Sequence, residues 1–368
     1  MKRTNRVSII GIGAVNPQGV GIQEVLKNKC TLPEFNVSSA ESSEKDFQVA
    51  YIKVGAINTA EYLPGISIRC TDRTTIYSGV ASSMAIGNYI SSNAIDSSQV
   101  GMALGSALGS VVSISNFNLQ ALAEGPSSVS PMEFPNTVSN APASKVGIWF
   151  SLKGPSVSIS NGFTSGLDAI GFAFDEISYG KAQYYLAGGS EELSENVHTG
   201  YASVIANKAK KSTLSSQSEV IVEGSGVLFL SSTEEAISKG FELHGEIVDF
   251  YSGKIVVDNG YVKTVMSTLT AIIESNEIQE NDIMVYTSMM PFNELSTIVY
   301  AEALKQFGND KFVICNQIEN TYLNYLGMNG VFNLIYALHD LKSNPGKDKN
   351  ALIFDIGCDG KLSCIIVK

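Results

Sequence analysis

The residues that bear on chemistry crowd into GPSVSISNGFTSGLDAIGFAF, positions 154 to 174. An alternating run, VSIS, leads into NGFTSG, and the apolar-periodic segment behind it predicts a helix. A tight turn between a strand and a buried helix is where enzymes display a nucleophile, because the helix amides stabilise negative charge. The residue at the sharpest point here is Phe163, a side chain with no nucleophilic atom. Ser160, Thr164 and Ser165 carry hydroxyls nearby, yet an unactivated serine at neutral pH is a feeble nucleophile. The chain holds three histidines, His198, His244 and His339. His339 sits in an apparent helix, YALHDLK, and His244 near a strand start, so both read as surface or capping residues. Cys30, Cys70, Cys315, Cys358 and Cys364 are scattered without CxxC pairing, which argues against zinc and against a disulfide framework and fits a reducing cytosol.

The elements around the elbow follow one grammar. VSIIGIGAV (7–15) reads as a buried strand running into a glycine-rich turn. A dinucleotide site would need GxGxxG, and GIGAVNPQG puts Asn and Pro where the helix should open, which disfavours that cofactor. VGMALGSA (100–107), AQYYLAGGSEEL (182–193) and VEGSGVLFLSS (222–232) read as further strands, the first two ending in glycine turns. The second part repeats the pattern, with ELHGEIVDFYS, NDIMVYTS, KFVICNQI and ALIFDIG as strands and STIVYAEALKQFG and GVFNLIYALHDLK as amphipathic helices. Alternating strands and helices predict an α/β fold whose sheet is mostly parallel and covered on both faces. A boundary near Ser231–Thr233 predicts two similarly built halves, 1–232 and 233–368. SSAESSEKD (38–46) reads as an exposed loop.

Composition bounds the function. The 368 residues are 44% apolar with 33 glycines, ample for a buried core. Acidic residues outnumber basic ones 36 to 25, for a net charge of −11, which disfavours a nucleic-acid or anionic-membrane partner. The only basic cluster, NKAKKS with Lys208, Lys210 and Lys211, reads as a solvated loop, with attraction for an acidic carrier as the alternative. The start, MKRTNRVSIIGIGAV, is too short and too glycine-broken for a signal peptide or a membrane span. The expectation is a cytoplasmic protein.

VSIIGIGAVNPQG, FPNTVSNAPAS (134–144), the block from GPSVSISNGFTSG to LAGGSEE, and VEGSGVLFL together resemble the β-ketoacyl-(acyl carrier protein) synthases of the thiolase fold. The resemblance covers nearly the whole chain. It implies a five-layered αβαβα architecture of two pseudo-duplicated halves and a dimer whose interface forms the floor of each acyl tunnel. In that family a cysteine at the elbow takes the acyl chain as a thioester. Two histidines then stabilise the enolate released when a malonyl unit loses carbon dioxide.

Laid on this chain, the family's cysteine position is held by Phe163 in GFTSG. The first histidine's place falls to Met289 in VYTSMMPFNELS. In ENTYLNYLGMNG, Glu319 replaces the lysine and Asn324 the second histidine of the K-S-x-x-G-H-x-x-G pattern, with Gly327 and Gly330 kept. The C-terminal glycine loop appears as GCDG, with Gly357 and Gly360 kept and Cys358 in place of phenylalanine. The backbone-shaping glycines Gly162, Gly166, Gly188, Gly189, Gly224 and Gly226 survive while the reactive atoms do not.

The resemblance is therefore to chain-length factors, also called ketosynthase-β subunits, of type II polyketide or polyene systems. These lack the cysteine and pair with an active ketosynthase-α. It implies no cofactor on this chain and no metal, a substrate carried on the phosphopantetheine of an acyl carrier protein, and docking of that carrier mainly on the catalytic partner. Ser113, Ile114, Asn116 and Phe117, after GSALGS, are the expected tunnel-floor and interface residues. Two other readings stand beside it: an acyltransferase or thioester hydrolase with altered chemistry on the same fold, and a homodimeric acyl-binding scaffold.

Overall fold

A computed structural model describes residues 3–29, 31, 36–42, 45–194, 197–201, 218–279, 282–319, 321–343 and 349–368. Its main sheet has eleven strands. In the first half lie β1 (Val7–Asn16), β2 (Gly19–Val20), β5 (Val100–Gly105), β6 (Ser156–Ile159), β7 (Tyr184–Glu191) and β9 (Gly224–Ser232). In the second lie β10 (Gly245–Lys254), β11 (Ile283–Thr287), β12 (Phe312–Ile314), β15 (Asn350–Ile356) and β16 (Lys361–Val367). Apart from β2, which hangs on the end of β1, the order is β12-β11-β15-β16-β10-β1-β9-β7-β5-β6. Read outward from the centre, each half places its first, fifth, fourth, second and third strand in that sequence. The halves meet where β1 pairs antiparallel with β10, Val7 opposite Ile247 and Ile9 opposite Gly245.

Side-chain alternation along these strands builds the layers. On β5, Val100, Met102 and Leu104 face one way, as do Val227 and Phe229 on β9, and they bury Tyr77, Val80 and Ala81 of helix α1 (Arg73–Ile86) and Val146 of α3 (Ala141–Trp149). The opposite faces, Ala103, Tyr185, Leu228 and Leu230, meet Leu167 and Ile170 of α4 (Ser165–Ser178) and Val331 and Leu334 of α7 (Asn329–Ser343). Those two central helices also cover Ile353 and Ile365 of the second half. Leu352, Phe354, Leu362 and Cys364 turn outward onto Val265 and Leu269 of α5 (Tyr261–Ser275) and Val299 of α6 (Glu294–Phe307). The result is the thiolase-like αβαβα stack. Helix α2 (Val111–Glu124) stands apart, because none of its residues is buried.

Three expectations are corrected. The sheet is mixed: β5 and β11 pair parallel with both neighbours, but the strands from β7 to β15 across the centre are antiparallel. A strand buried on both faces reads as continuously apolar in either direction, so composition did not distinguish the two. The glycines at 188–189 are strand rather than turn; a Cβ on Gly188 would lie 1.9 Å from the Gly226 carbonyl oxygen, so close strand packing demands glycine there. SSAESSEKD belongs, in its described part, to an antiparallel pair, β3 (Asn36–Ser42) and β4 (Lys45–Ile52). These strands join β8 (Ser218–Val222), β14 (Thr321–Asn324) and β13 (Gln317–Ile318) in a second sheet. Lys208, Lys210 and Lys211, like Cys30, lie outside the described residues. No helix among the described residues is long and apolar enough to cross a membrane.

Candidate functional site

The elbow is built as the sequence predicts. β6 ends at Ile159, Gly162 takes φ +70°, and α4 begins at Ser165. The left-handed backbone at Gly162 is the conformation that a Cβ disfavours. The Ser165 hydroxyl donates to the Gly162 carbonyl (2.6 Å) and accepts from the Asn161 amide (2.8 Å), closing the turn. Behind it the buried Asp168 carboxylate accepts from Thr164 Oγ1 (2.9 Å), Asn161 Nδ2 (3.0 Å) and Ser252 Oγ (2.8 Å) and pairs with Lys361 Nζ (3.0 Å). Two of the three hydroxyls near the elbow are thus engaged in holding it, and Ser160 is exposed.

Phe163 points into an apolar pocket formed by Leu193, Ile221, Met290, Phe292 and Leu326, with Tyr51, Ala107, Leu108, Val197 and Tyr201 at its rim. Its ring is 9% exposed. It meets Phe292 edge-on, centroids 5.6 Å apart, and Tyr201 meets Phe292 in the same manner at 5.6 Å. Burying a phenyl group stabilises by about 1.5–3 kcal/mol, and an edge-to-face pair adds about 0.5–1.5 kcal/mol.

Of the other positions that the resemblance marks, Met289 and Asn324 are buried and engaged. Met289 is buried, and the Asn316 carboxamide holds its backbone, accepting from the Met289 amide (3.0 Å) and donating to its carbonyl (2.7 Å). It is the next residue, Met290, that reaches the pocket; its sulfur accepts from Asn329 Nδ2 at 3.5 Å. Asn324 is fully buried and donates from Nδ2 to Glu219 (2.8 Å), while its oxygen accepts from the Leu326 amide (2.8 Å) and Asn329 Nδ2 (3.2 Å). The other oxygen of Glu219 accepts from the Phe292 amide (3.1 Å). Glu319 is not brought to this group: it is exposed on the turn between β13 and β14, at φ +53°. Gly357 and Gly360 form the turn between β15 and β16, with Gly360 at φ +87°, its carbonyl accepting from Ile255 (3.1 Å), and Cys358 exposed at the tip.

His198 is nearer to the elbow than its sequence position suggests. It is buried, its ring 4.8 Å from that of Tyr51 at the pocket rim. His244 is half-buried just before β10, its amide donating to the Ile9 carbonyl (2.8 Å), and burial lowers its pKa against the opposing pull of Glu242. His339 is exposed on α7. Ser113, Ile114 and Phe117 are half-buried and Asn116 exposed, all on α2 and outside the Phe163 pocket; Phe117 packs on Phe134 at 5.8 Å.

Sequence reasoning passed over the carboxylates. Glu191, fully buried at the end of β7, accepts from Ser106 Oγ (3.1 Å) and from the amides of Ala107, Leu108 (3.3 Å) and Gly327 (3.2 Å). Glu192, also buried, accepts from the amides of Val112 (3.0 Å), Arg73 (3.1 Å) and Thr74 (3.4 Å). Burial pushes both carboxyls up to about 7, Asp72 adding to the rise at Glu192 and the donated hydrogen bonds opposing it at both. The adjacent pair in GGSEE, following two strand glycines, was the available signal.

A family model described as Beta-ketoacyl synthase, N-terminal domain, matches residues 4–236. The chain is 26% identical over 257 residues to a 3-oxoacyl-[acyl-carrier-protein] synthase 2 of Vibrio cholerae, covering 67% of this chain and 62% of that protein. It is 28% identical over 260 residues to the enzyme of the same name from Coxiella burnetii, with the same coverage. The alignment thus spans less than two-thirds of those relatives' length. Among solved structures, the ishigamide ketosynthase/chain length factor is similar with a TM-score of 0.78 at 18% identity, covering 98% of this chain and 99% of that one. A type II PKS acyl-carrier protein in complex with its ketosynthase bound to the hexaketide gives 0.78 at 20% identity, covering 100% and 99%.

Proposed function

This chain belongs to the β-ketoacyl synthase family, and from that membership we propose that it is the non-catalytic member of a ketosynthase pair. In this reading it is a chain-length factor that joins an active β-ketoacyl synthase and shapes its acyl tunnel, in type II polyketide, aryl polyene or fatty acid biosynthesis. The observation that carries the proposal is the pocket around Phe163: a phenyl ring stands at the elbow, where the family resemblance calls for the nucleophile, and the Asn324 carboxamide donates to Glu219. A thioester needs a thiolate and an enolate needs free donors; Phe163 supplies no thiolate, and the Asn324 carboxamide is engaged by Glu219.

The surface favours a partner. No residue of helix α2 is fully buried by the chain itself. Its Leu119 and Leu122 are exposed, as are Met132, Phe134 and Val138 in the segment that follows and Ile148 of α3. Patches of this kind mark interaction sites. β6 is the edge strand of the main sheet, half-buried to exposed, and it leads directly into the elbow. A ketosynthase-α seated over β6 and α2 would supply the cysteine and the histidines, and Ser113, Ile114, Asn116 and Phe117 would face its tunnel. The acyl chain would arrive on the phosphopantetheine of an acyl carrier protein docked mainly on that partner, since like charges repel and this chain carries −11.

An acyltransferase or hydrolase on this fold is disfavoured because the Ser165 and Thr164 hydroxyls are tied to Gly162 and Asp168. A homodimeric acyl-binding scaffold remains the rival of a different class. Co-expression with a β-ketoacyl synthase that retains its cysteine and two histidines separates them. A one-to-one complex that condenses acyl units, with this chain inert alone, is expected; a stable self-dimer that ignores the synthase would overturn the proposal.

A further inference from the structure

We infer that Glu191 and Glu192 form a positioning pair that fixes the start of α2 against the elbow, and so sets the depth of the tunnel floor that α2 presents to a partner. The second half of this inference rests on the function proposed above; the first half does not.

The geometry is a clamp with two jaws. Glu191 ends β7 and Glu192 is the first residue beyond it, and the two adjacent carboxylates reach different groups of amides. Glu191 gathers Ser106 Oγ and the amides of Ala107 and Leu108, which belong to the turn that feeds α2. Its Oε1 also accepts from Gly327, and a Cβ on Gly327 would lie 3.3 Å from the Gly162 carbonyl of the elbow. Glu192 takes the Val112 amide in the first turn of α2 with Oε1, and the amides of Arg73 and Thr74 at the start of α1 with Oε2. Carboxylates accepting from the unpaired amides at helix starts are favoured electrostatically as well as by the hydrogen bonds themselves.

What makes this more than core packing is where α2 is held. α2 has no fully buried residue; along its length Phe117 packs on Phe134 and Gln120 Nε2 donates to the Ser128 carbonyl (3.3 Å), while its N-terminal end is held by the carboxylates. A helix rises about 1.5 Å per residue. Ser113 to Phe117 therefore lie within two turns of the clamp, and a shift at Val112 is carried directly to them.

The test uses the full-length chain with Glu191→Gln and Glu192→Gln, which keep side-chain volume but turn one acceptor of each carboxylate into a donor. Amide hydrogen exchange on the isolated chain should quicken by roughly ten- to a hundredfold at Ala107, Leu108 and Gly327 in the first variant and at Val112 and Arg73 in the second, as loss of a charged hydrogen bond implies. Leu334 in the central helix should keep its wild-type rate. Ser106→Ala, which removes the hydroxyl that donates to Glu191 and accepts from the Gly109 amide (2.7 Å), should quicken exchange at Gly109 directly and, to a smaller degree than Glu191→Gln, at Ala107, Leu108 and Gly327; the last three decide the matter if Glu191→Gln does not fold. In complex with the ketosynthase that wild-type chain activates, each variant should shift or broaden the product-length distribution while condensation continues. Uniformly faster exchange across the chain overturns the positioning role, and local loosening with unchanged product lengths overturns the link to tunnel depth. A wild-type chain that activates no ketosynthase overturns the proposed function instead, and the exchange pattern then judges the clamp by itself.

Discussion

The ring of Phe163 stands edge-on to that of Phe292, centroids 5.6 Å apart, and the Phe292 amide donates to the Glu219 carboxylate that also holds Asn324. The elbow and Asn324, one of the two positions expected to stabilise an enolate, are therefore parts of one packed unit, and restoring one part does not restore the other. Phe163→Cys should yield a folded protein whose isolated form neither condenses acyl units nor releases carbon dioxide from malonyl carrier above background. The reason is chemical: a thiolate at position 163 would capture an acyl group, yet the Asn324 donor still faces Glu219 and Met290 offers only a thioether. Turnover by this single variant, measured by product mass, would show that the site retains donors assigned here to structure.

Much of this site was legible in the sequence because its signals are local. GFTSG between an alternating run and an apolar helix specifies the elbow, and φ +70° at Gly162 is what that glycine is for. What escaped is long-range. Met290 rather than Met289 reaches Phe163, since position on a strand end fixes which of two adjacent side chains turns inward. Glu219 lies 105 residues from Asn324, and His198 comes beside Tyr51 through the fold alone. Glycine was read as a turn former when Gly188 is required for close approach between strands. The pseudo-duplication was visible as a repeated grammar, but strand direction, which leaves no mark on a doubly buried strand, was not.

Asp355 is a second buried carboxyl with a measurable signature. It sits on β15 opposite Ser363, with neither oxygen in bonding geometry to a donor. Burial pushes its pKa up to about 8, the nearby Asp168 adds to this, and the Gly330 amide offsets part of it. The folded value lies above the unfolded one, so the stability it contributes is fully present below about pH 4 and is lost as pH rises through about 8. Asp355→Asn, which has no proton to release, should be more stable relative to wild type at pH 8 than at pH 5. The gap should grow by up to about 1.4 kcal/mol per pH unit. Urea midpoints for both proteins across that range check it; a gap that does not change with pH would mean that the carboxyl is ionised or solvated in the folded state.

Phe117 gives the proposed function its sharpest test. In the chain alone it is half-buried and packs on Phe134, itself 57% exposed, so its removal should cost less than the roughly 3–5 kcal/mol of a fully buried phenylalanine. On the face of α2 that a partner would cover, the same ring is the bulkiest of the four residues proposed for the floor, and volume at a tunnel's end limits how many acyl units fit before condensation stalls. Phe117→Ala in the complex should therefore lengthen the products while the rate of early condensations holds. Val or Leu at the same position should give intermediate lengths in order of size, a graded response that loss of packing against Phe134 would not produce. An unchanged product distribution across that series would reduce Phe117 to an interface side chain and move the floor elsewhere on the partner's surface.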